Sequence, residues 1–210
     1  EVGDGWMMMI GDATGKGVHA AAVTSLVRHT AWTAADYDPR PAAVLGRIDT
    51  ALKRRTPVPV CTALCLRLSG NECTVACGGH PPPIHLGADG TREIGRYGTL
   101  LGGLATVSWP EETFQMNPGE TLVAFTDGVT DTVGADGERF GAERLERVVQ
   151  QARGEPSQAL CERLLAALDE FQVGAQADDT AVVVMRFNGG VPRSEPGRLR
   201  YAVPAGNGQR

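Results

Sequence analysis

Residues Met7 to Gly17, MMMIGDATGKG, leave the chain few arrangements to choose from. Apolar residues in a row read as a short buried strand, and Gly11-Asp12 ends it abruptly. Gly15 and Gly17 let the backbone turn tightly before an Ala-rich, helix-favouring run opens at His19. A carboxylate is thereby held at a strand end, within reach of a ligand. Similar placements recur downstream: Asp127 follows Leu122-Val123-Ala124-Phe125, and Asp178-Asp179 precede Val182-Val183-Val184-Met185. One Asp beside a Gly is ordinary turn chemistry. Strand-end carboxylates from three distant parts of one chain point instead to a metal centre. A phosphate-loop reading of GDATGKG fails on spacing, because only Asp12, Ala13 and Thr14 separate Gly11 from Gly15. Gly17 also stands where Ser or Thr would bind magnesium.

With 210 residues the chain can build one substantial core. Its 20 basic and 25 acidic residues leave a net charge of −5 with no basic stripe, which argues against a nucleic-acid partner or an anionic membrane surface. No apolar run approaches the roughly 20 residues that span a bilayer, and no signal-peptide pattern opens the sequence. The expectation is a cytoplasmic protein without direct membrane insertion. Cys61/Cys65 and Cys73/Cys77 invite a zinc reading, but both pairs fall in strand-like runs. A spacing of four separates such a pair by about 13 Å along a strand, too far to share one ion. They read as small core residues in a reducing compartment.

Taken in order, Asp4-Gly5 is a hairpin signal with a strand after it and almost nothing before it. The expectation is a fragment whose first strand was cut away. His19–Ala35 and Pro41–Arg55 read as consecutive helices covering one sheet face, the second with Val44, Ile48 and Leu52 on one stripe. Period-two runs follow at Cys61–Leu68, Glu72–Cys77, Ile84–Leu86 and Thr91–Ile94, with connections short enough to predict antiparallel neighbours. Gly95 to Gly103 is a glycine-bearing loop able to pass close to a site. Phe114–Met116 and Thr121–Thr126 read as a hairpin across Asn117-Pro118-Gly119. Helices are predicted over Gly141–Ala152 and Pro156–Phe171, and a last strand over Thr180–Phe187. Residues 188–210, rich in Gly, Pro and Arg, read as a flexible tail or linker after a domain spanning 1–187. Antiparallel strands interrupted by two helix pairs predict an α+β fold with helix layers outside stacked sheets.

IGDATGKGVHAA, CTALCLRL followed by GGHPPPIHL, LLGG, LVAFTDGVTD and ADDTAVVVMR stand in one order over residues 7 to 187. In these pieces the chain resembles the PPM-type metal-dependent serine/threonine phosphatases, in particular the bacterial sporulation stage II E branch. The resemblance implies a four-layer α/β/β/α sandwich of two antiparallel sheets with two Mn²⁺ or Mg²⁺ ions in the cleft between them. Asp12 would bridge the ions with help from the Ala13 carbonyl, and Asp127 and Asp178 would complete the first site. Asp178 is preferred to Asp179 because it matches the first Asp of the family's pair. The donors are hard oxygens without His or Cys, which suits Mg²⁺ or Mn²⁺ rather than zinc.

The sequence departs from the family pattern in two places. Animal members carry a His two residues after the bridging Asp, where this chain has Thr14. The general acid is therefore open, with His80 a substitute only if the fold brings it to the cleft, and a loop-ordering role the alternative. Lys16 is a further candidate for touching phosphate, or an exposed turn residue. The family's acidic strand upstream of the opening hairpin has no counterpart, since Asp4 sits in the turn itself, so the second ion is expected to bind weakly here.

The implied substrate is a phosphorylated anti-sigma-factor antagonist in a partner-switching pathway, with a sensory domain upstream. The implied regulatory device is the helix pair following the Asp12 loop. A competing reading, a catalytically silent module that docks a regulatory partner, has no use for three mutually repelling carboxylates.

Overall fold

The computed structural model describes residues 1–174 and 179–189. β1 (Gly5–Ala13) enters through a tight turn in which Val2 and Gly5 exchange backbone hydrogen bonds, and the Asp4 carboxylate accepts from Arg67 and Ser69. Gly15 and Gly17, at φ 106° and 73°, turn the chain out of the strand in a region that side chains disfavour. α1 (Val18–Tyr37) and α2 (Pro41–Lys53) follow, both slightly displaced from their predicted limits. Pro41 opens α2, where its missing N–H costs nothing. β2 (Cys61–Ser69) and β3 (Glu72–Gly78) form an antiparallel hairpin and pair with β1 in the order β1-β2-β3.

Two expected neighbourhoods are corrected by the topology. β3 does not pair with β4 (Ile84–Gly87), which lies in the other sheet. Between them stand Pro81, Pro82 and Pro83, which have no N–H to extend a ladder, so the chain leaves one sheet and crosses to the next. Nor do β7 (Glu111–Gln115) and β8 (Thr121–Phe125) form a hairpin. At the turn Met116 N–H donates to the Asn71 carbonyl, whereas the Glu120 carbonyl accepts from Phe187 N–H and Gly119 N–H donates to the Phe187 carbonyl. The Glu120 carboxylate accepts from the Asn117 amide and side chain, fixing a turn that hands the chain from one sheet to the other.

β4 pairs with β5 (Gly90–Glu93) and with β8, and β8 pairs with β9 (Val182–Arg186), all antiparallel. In the first sheet the free edge of β3 takes β7 along most of its length. At its C-terminal end it takes β6 (Tyr97–Gly98), a two-residue parallel pairing that the antiparallel expectation did not include. α3 (Asp127–Asp131) is a short helix that the sequence reading also lacked. α4 (Gly141–Gln151) and α5 (Ser157–Phe171) cover the second sheet.

Three cores stack through these layers. Val44, Ile48 and Leu52 of α2 pack with Cys61, Ala63 and Cys65 under the first helix pair. Ile10, Leu64, Leu66, Val75, Leu122 and Ala124 meet between the sheets. Leu160, Leu164 and Leu168 of α5 pack with Val123 and Phe125 beneath the second pair. The α/β/β/α sandwich is therefore the fold. Burial pushes the thiols of Cys61, Cys65, Cys73 and Cys77 up to about 12, so they are protonated core residues at neutral pH, neither metal ligands nor nucleophiles. The expected tail lies, from residue 190 onward, outside the described residues.

Candidate metal centre

Alternation along β1 decides where Asp12 faces. Met8 and Ile10 pack into the inter-sheet core while Met7, Met9 and Ala13 pack under the helices, so Asp12 points to the inter-sheet side. It lies beyond the last core residue of its strand and is exposed. Thr62 stands opposite Asp12 in register, and its Oγ1 accepts from the Asp12 amide at 3.3 Å. Thr14 closes the strand end with two bonds to the Val60 carbonyl, from its amide and its hydroxyl.

In the second sheet Leu122 and Ala124 face the same inter-sheet core. Thr126 follows with its hydroxyl donating to the Asp179 carbonyl at 3.1 Å and accepting from the Ala181 amide at 2.9 Å. Asp127, exposed, opens α3 immediately after. Gly128 lies so close to this segment that a Cβ there would stand 2.5 Å from the Asp179 carbonyl oxygen. Asp179, which leads into β9, is thereby held against Gly128, the residue after Asp127. Asp178 itself lies outside the described residues.

His80 joins the two sheets. It is 1% exposed, on the segment that crosses from β3 to β4, and its Nδ1 meets Thr62 Oγ1 at 3.0 Å. Since Thr62 accepts from Asp12, its own proton is available to His80. Nε2 makes no hydrogen bond of good geometry. Burial pushes the ring down to about 4, against the Phe125 carbonyl, which favours the charged form. A neutral, buried imidazole has no proton to give a leaving group at pH 7; its contacts are those of a residue that orders the crossing. Lys16 stands exposed between Gly15 and Gly17.

The strand ends that carry Asp12 and Asp127, one in each sheet, therefore lie on the same side of the sandwich, because the Gly79–Pro83 crossing joins the C-terminal end of β3 to the start of β4. Among the described residues no three His, Cys, Asp or Glu side chains are grouped closely enough to hold an ion. The donor chemistry nevertheless fits a hard divalent cation: Asp12 and Asp127 are exposed carboxylates at the ends of strands. Thr62 and Thr126 went unnoticed in the sequence, because strand register alone gives them their partners. Tyr97 did too; partial burial, with the nearby Glu93 adding to it, raises its phenol.

The sequence profile of the stage II sporulation protein E (SpoIIE) family matches residues 3–188. The chain belongs to the SpoIIE family. This SpoIIE-family domain is similar in structure to the SiaA-PP2C domain of Pseudomonas aeruginosa, with a TM-score of 0.80 at 24% identity over 89% of this chain and 78% of that one. It is similar also to the RsbU and RsbW domains of Rv1364c from Mycobacterium tuberculosis, with a TM-score of 0.75 at 26% identity over 90% of this chain and 54% of the other. In sequence it is 25% identical to protein IcfG of Synechocystis sp. over 125 residues, 58% of this chain, and so spans only 19% of IcfG. In fold the SpoIIE-family domain is similar to solved PP2C phosphatase domains. No described helix is long and apolar enough to cross a membrane.

Proposed function

We propose that the domain, residues 1–187, hydrolyses phosphoserine or phosphothreonine on a regulatory protein, an anti-sigma-factor antagonist in a partner-switching pathway. The observation that supports this reading is that Asp12 and Asp127 end strands of different sheets on the side of the sandwich where Thr62 and His80 meet. The proposed ligand set is Asp12, the Ala13 carbonyl, Asp127 and Asp178, with Asp179 the second choice. Two Mn²⁺ or Mg²⁺ ions, when bound, supply Lewis acidity that activates water and neutralises phosphoryl charge. The chain's own part is to hold the carboxylates apart from one another and rigid. The β1–β2 ladder and the Asp12–Thr62–His80 contacts fix one side of the cleft, and Thr126 with its bonds to residues 179 and 181 fixes the other.

The hydroxyl of Thr14 is engaged with Val60 and His80 is neutral, so neither is assigned the leaving-group proton. Lys16, exposed on the turn that follows Asp12, stays a candidate for a phosphoryl contact, with an exposed turn residue as the alternative. Partner-switching is favoured over other regulation by the likeness to the RsbU and RsbW domains of Rv1364c. The test is phosphate release from a phosphoserine-bearing antagonist protein with Mn²⁺, before and after EDTA. Release that stops with EDTA and returns with Mn²⁺ supports the reading; release that persists in EDTA, or none with Mn²⁺, contradicts it.

A further inference from the structure

The segment from Tyr97 to Trp109 displays apolar side chains, yet it is tied down at many points. Tyr97 is 65% exposed and Leu100 37%. Around them Gly79 N–H donates to the Gly98 carbonyl, Leu101 exchanges backbone bonds with Cys61, and Thr99 accepts from Trp109 Nε1 at 2.7 Å. From below, the buried Asp49 carboxylate of α2 accepts the Gly102 amide at 2.8 Å. An exposed apolar residue on a loose loop has an ordinary explanation. On a segment held this firmly, it is kept out of the core by the backbone and presented to whatever approaches.

The direction of presentation follows from register. Tyr97 pairs with Cys77, and Cys77 packs in the inter-sheet core, so Tyr97 projects to the same side of the sheet as Asp12. Leu100 lies directly over Gly79, the residue before His80. Tyr97 therefore stands on the edge away from β1, and Leu100 nearer to it, beside the start of β2 where Leu101 pairs with Cys61. We propose that Tyr97 and Leu100 form a recognition wall that takes an apolar side chain of the substrate polypeptide beside its phosphoresidue. This rests on the phosphatase reading above. From β1 to β6 is three strand spacings, about 14 Å, which an extended peptide covers in about four residues. The reach of the tyrosine shortens this, placing the apolar residue about two to four positions from the phosphoresidue.

The test separates recognition from turnover. Fluorescein-labelled phosphoserine peptides, with Leu or with Ser at those positions on either side, are titrated with Mn²⁺ into the 210-residue chain carrying Asp127→Asn, and anisotropy is read. The Leu peptide is expected to bind about tenfold more tightly than the Ser peptide. Tyr97→Ala and Leu100→Ser, each added to that chain, remove the preference, and Tyr97→Phe keeps it. Thermal melts within a few degrees of the parent show that the substitutions, both at exposed positions, leave the fold intact. Equal binding of the two peptides, no binding of either, or a preference that survives both substitutions overturns the proposal. Hydrolysis of p-nitrophenyl phosphate by the unsubstituted chain with Mn²⁺ reports on the phosphatase reading alone. Turnover there without a leucine preference sinks only the wall; absence of turnover sinks the reading beneath it.

Discussion

At Asp127 charge can be removed without shape. Asp127→Asn keeps the side-chain volume and the start of α3 but deletes one of the charges that would hold the cation, so Mn²⁺-dependent phosphate release is expected to fall at least about 100-fold. Full activity of the variant at saturating Mn²⁺ would remove Asp127 from the mechanism. Asp178→Asn is expected to be as damaging and Asp179→Asn to retain substantial activity, both read by initial rates. The reverse pattern would mean that the final strand is one residue out of register with the family motif. His80 makes a different prediction. Its folded pKa, about 4, lies below its ordinary 6.5, so the unfolded chain binds the extra proton between these values. Its contribution is therefore complete above about pH 6.5 and is lost as pH falls towards 4, by roughly 3 kcal/mol at most. Urea titrations of the wild type and His80→Asn across that range should show the wild type losing more stability; parallel losses would mean that His80 does not titrate as described. The carboxylates were legible in the sequence because each follows or precedes an apolar run. The partners that orient them were not, since Thr62 meets Asp12 only through a pairing fifty residues distant.

Among the elements, α2 is held by side chains as well as by its apolar face. Asp49 accepts from Gly102 and pairs with Lys53 at 2.7 Å, and the Ala42 amide donates to Glu111 at 2.9 Å. Asp49→Ala leaves a buried amide unpaired and an ammonium without its partner, at a cost of about 3 kcal/mol in chemical denaturation. Asp49→Asn keeps an acceptor for Gly102 and should cost clearly less; equal costs would show that the charge, not the hydrogen bond, matters. The helices were legible because Val44, Ile48 and Leu52, like Leu160, Leu164 and Leu168, repeat at helical spacing. The pairing of strands was less so. Pro81-Pro82-Pro83 and Asn117-Pro118-Gly119 look locally like hairpin turns, and only the partners supplied by Asn71 and Phe187 make the second a crossing between sheets. β6 is too short to leave a period in the sequence.

For the whole molecule, the fold sets an exposed carboxylate at a strand end of each sheet, Asp12 and Asp127, on the same side of the sandwich. Two helix pairs, each covering the outer face of one sheet, make the four layers; the order of the elements suggested helix layers outside stacked sheets, and the family resemblance implied the full sandwich. Cleft geometry was not, because it depends on how the Gly79–Pro83 crossing aligns the sheets. The account stands or falls on whether the carboxylates of both sheets act on one bound ion. Calorimetric titration of Mn²⁺ into the wild type, Asp12→Asn and Asp127→Asn tests this most directly. The account predicts that each substitution, one in either sheet, weakens the tightest Mn²⁺ binding by about tenfold or more while the melting profile of the metal-free protein is preserved. Wild-type Mn²⁺ affinity in either variant would contradict it.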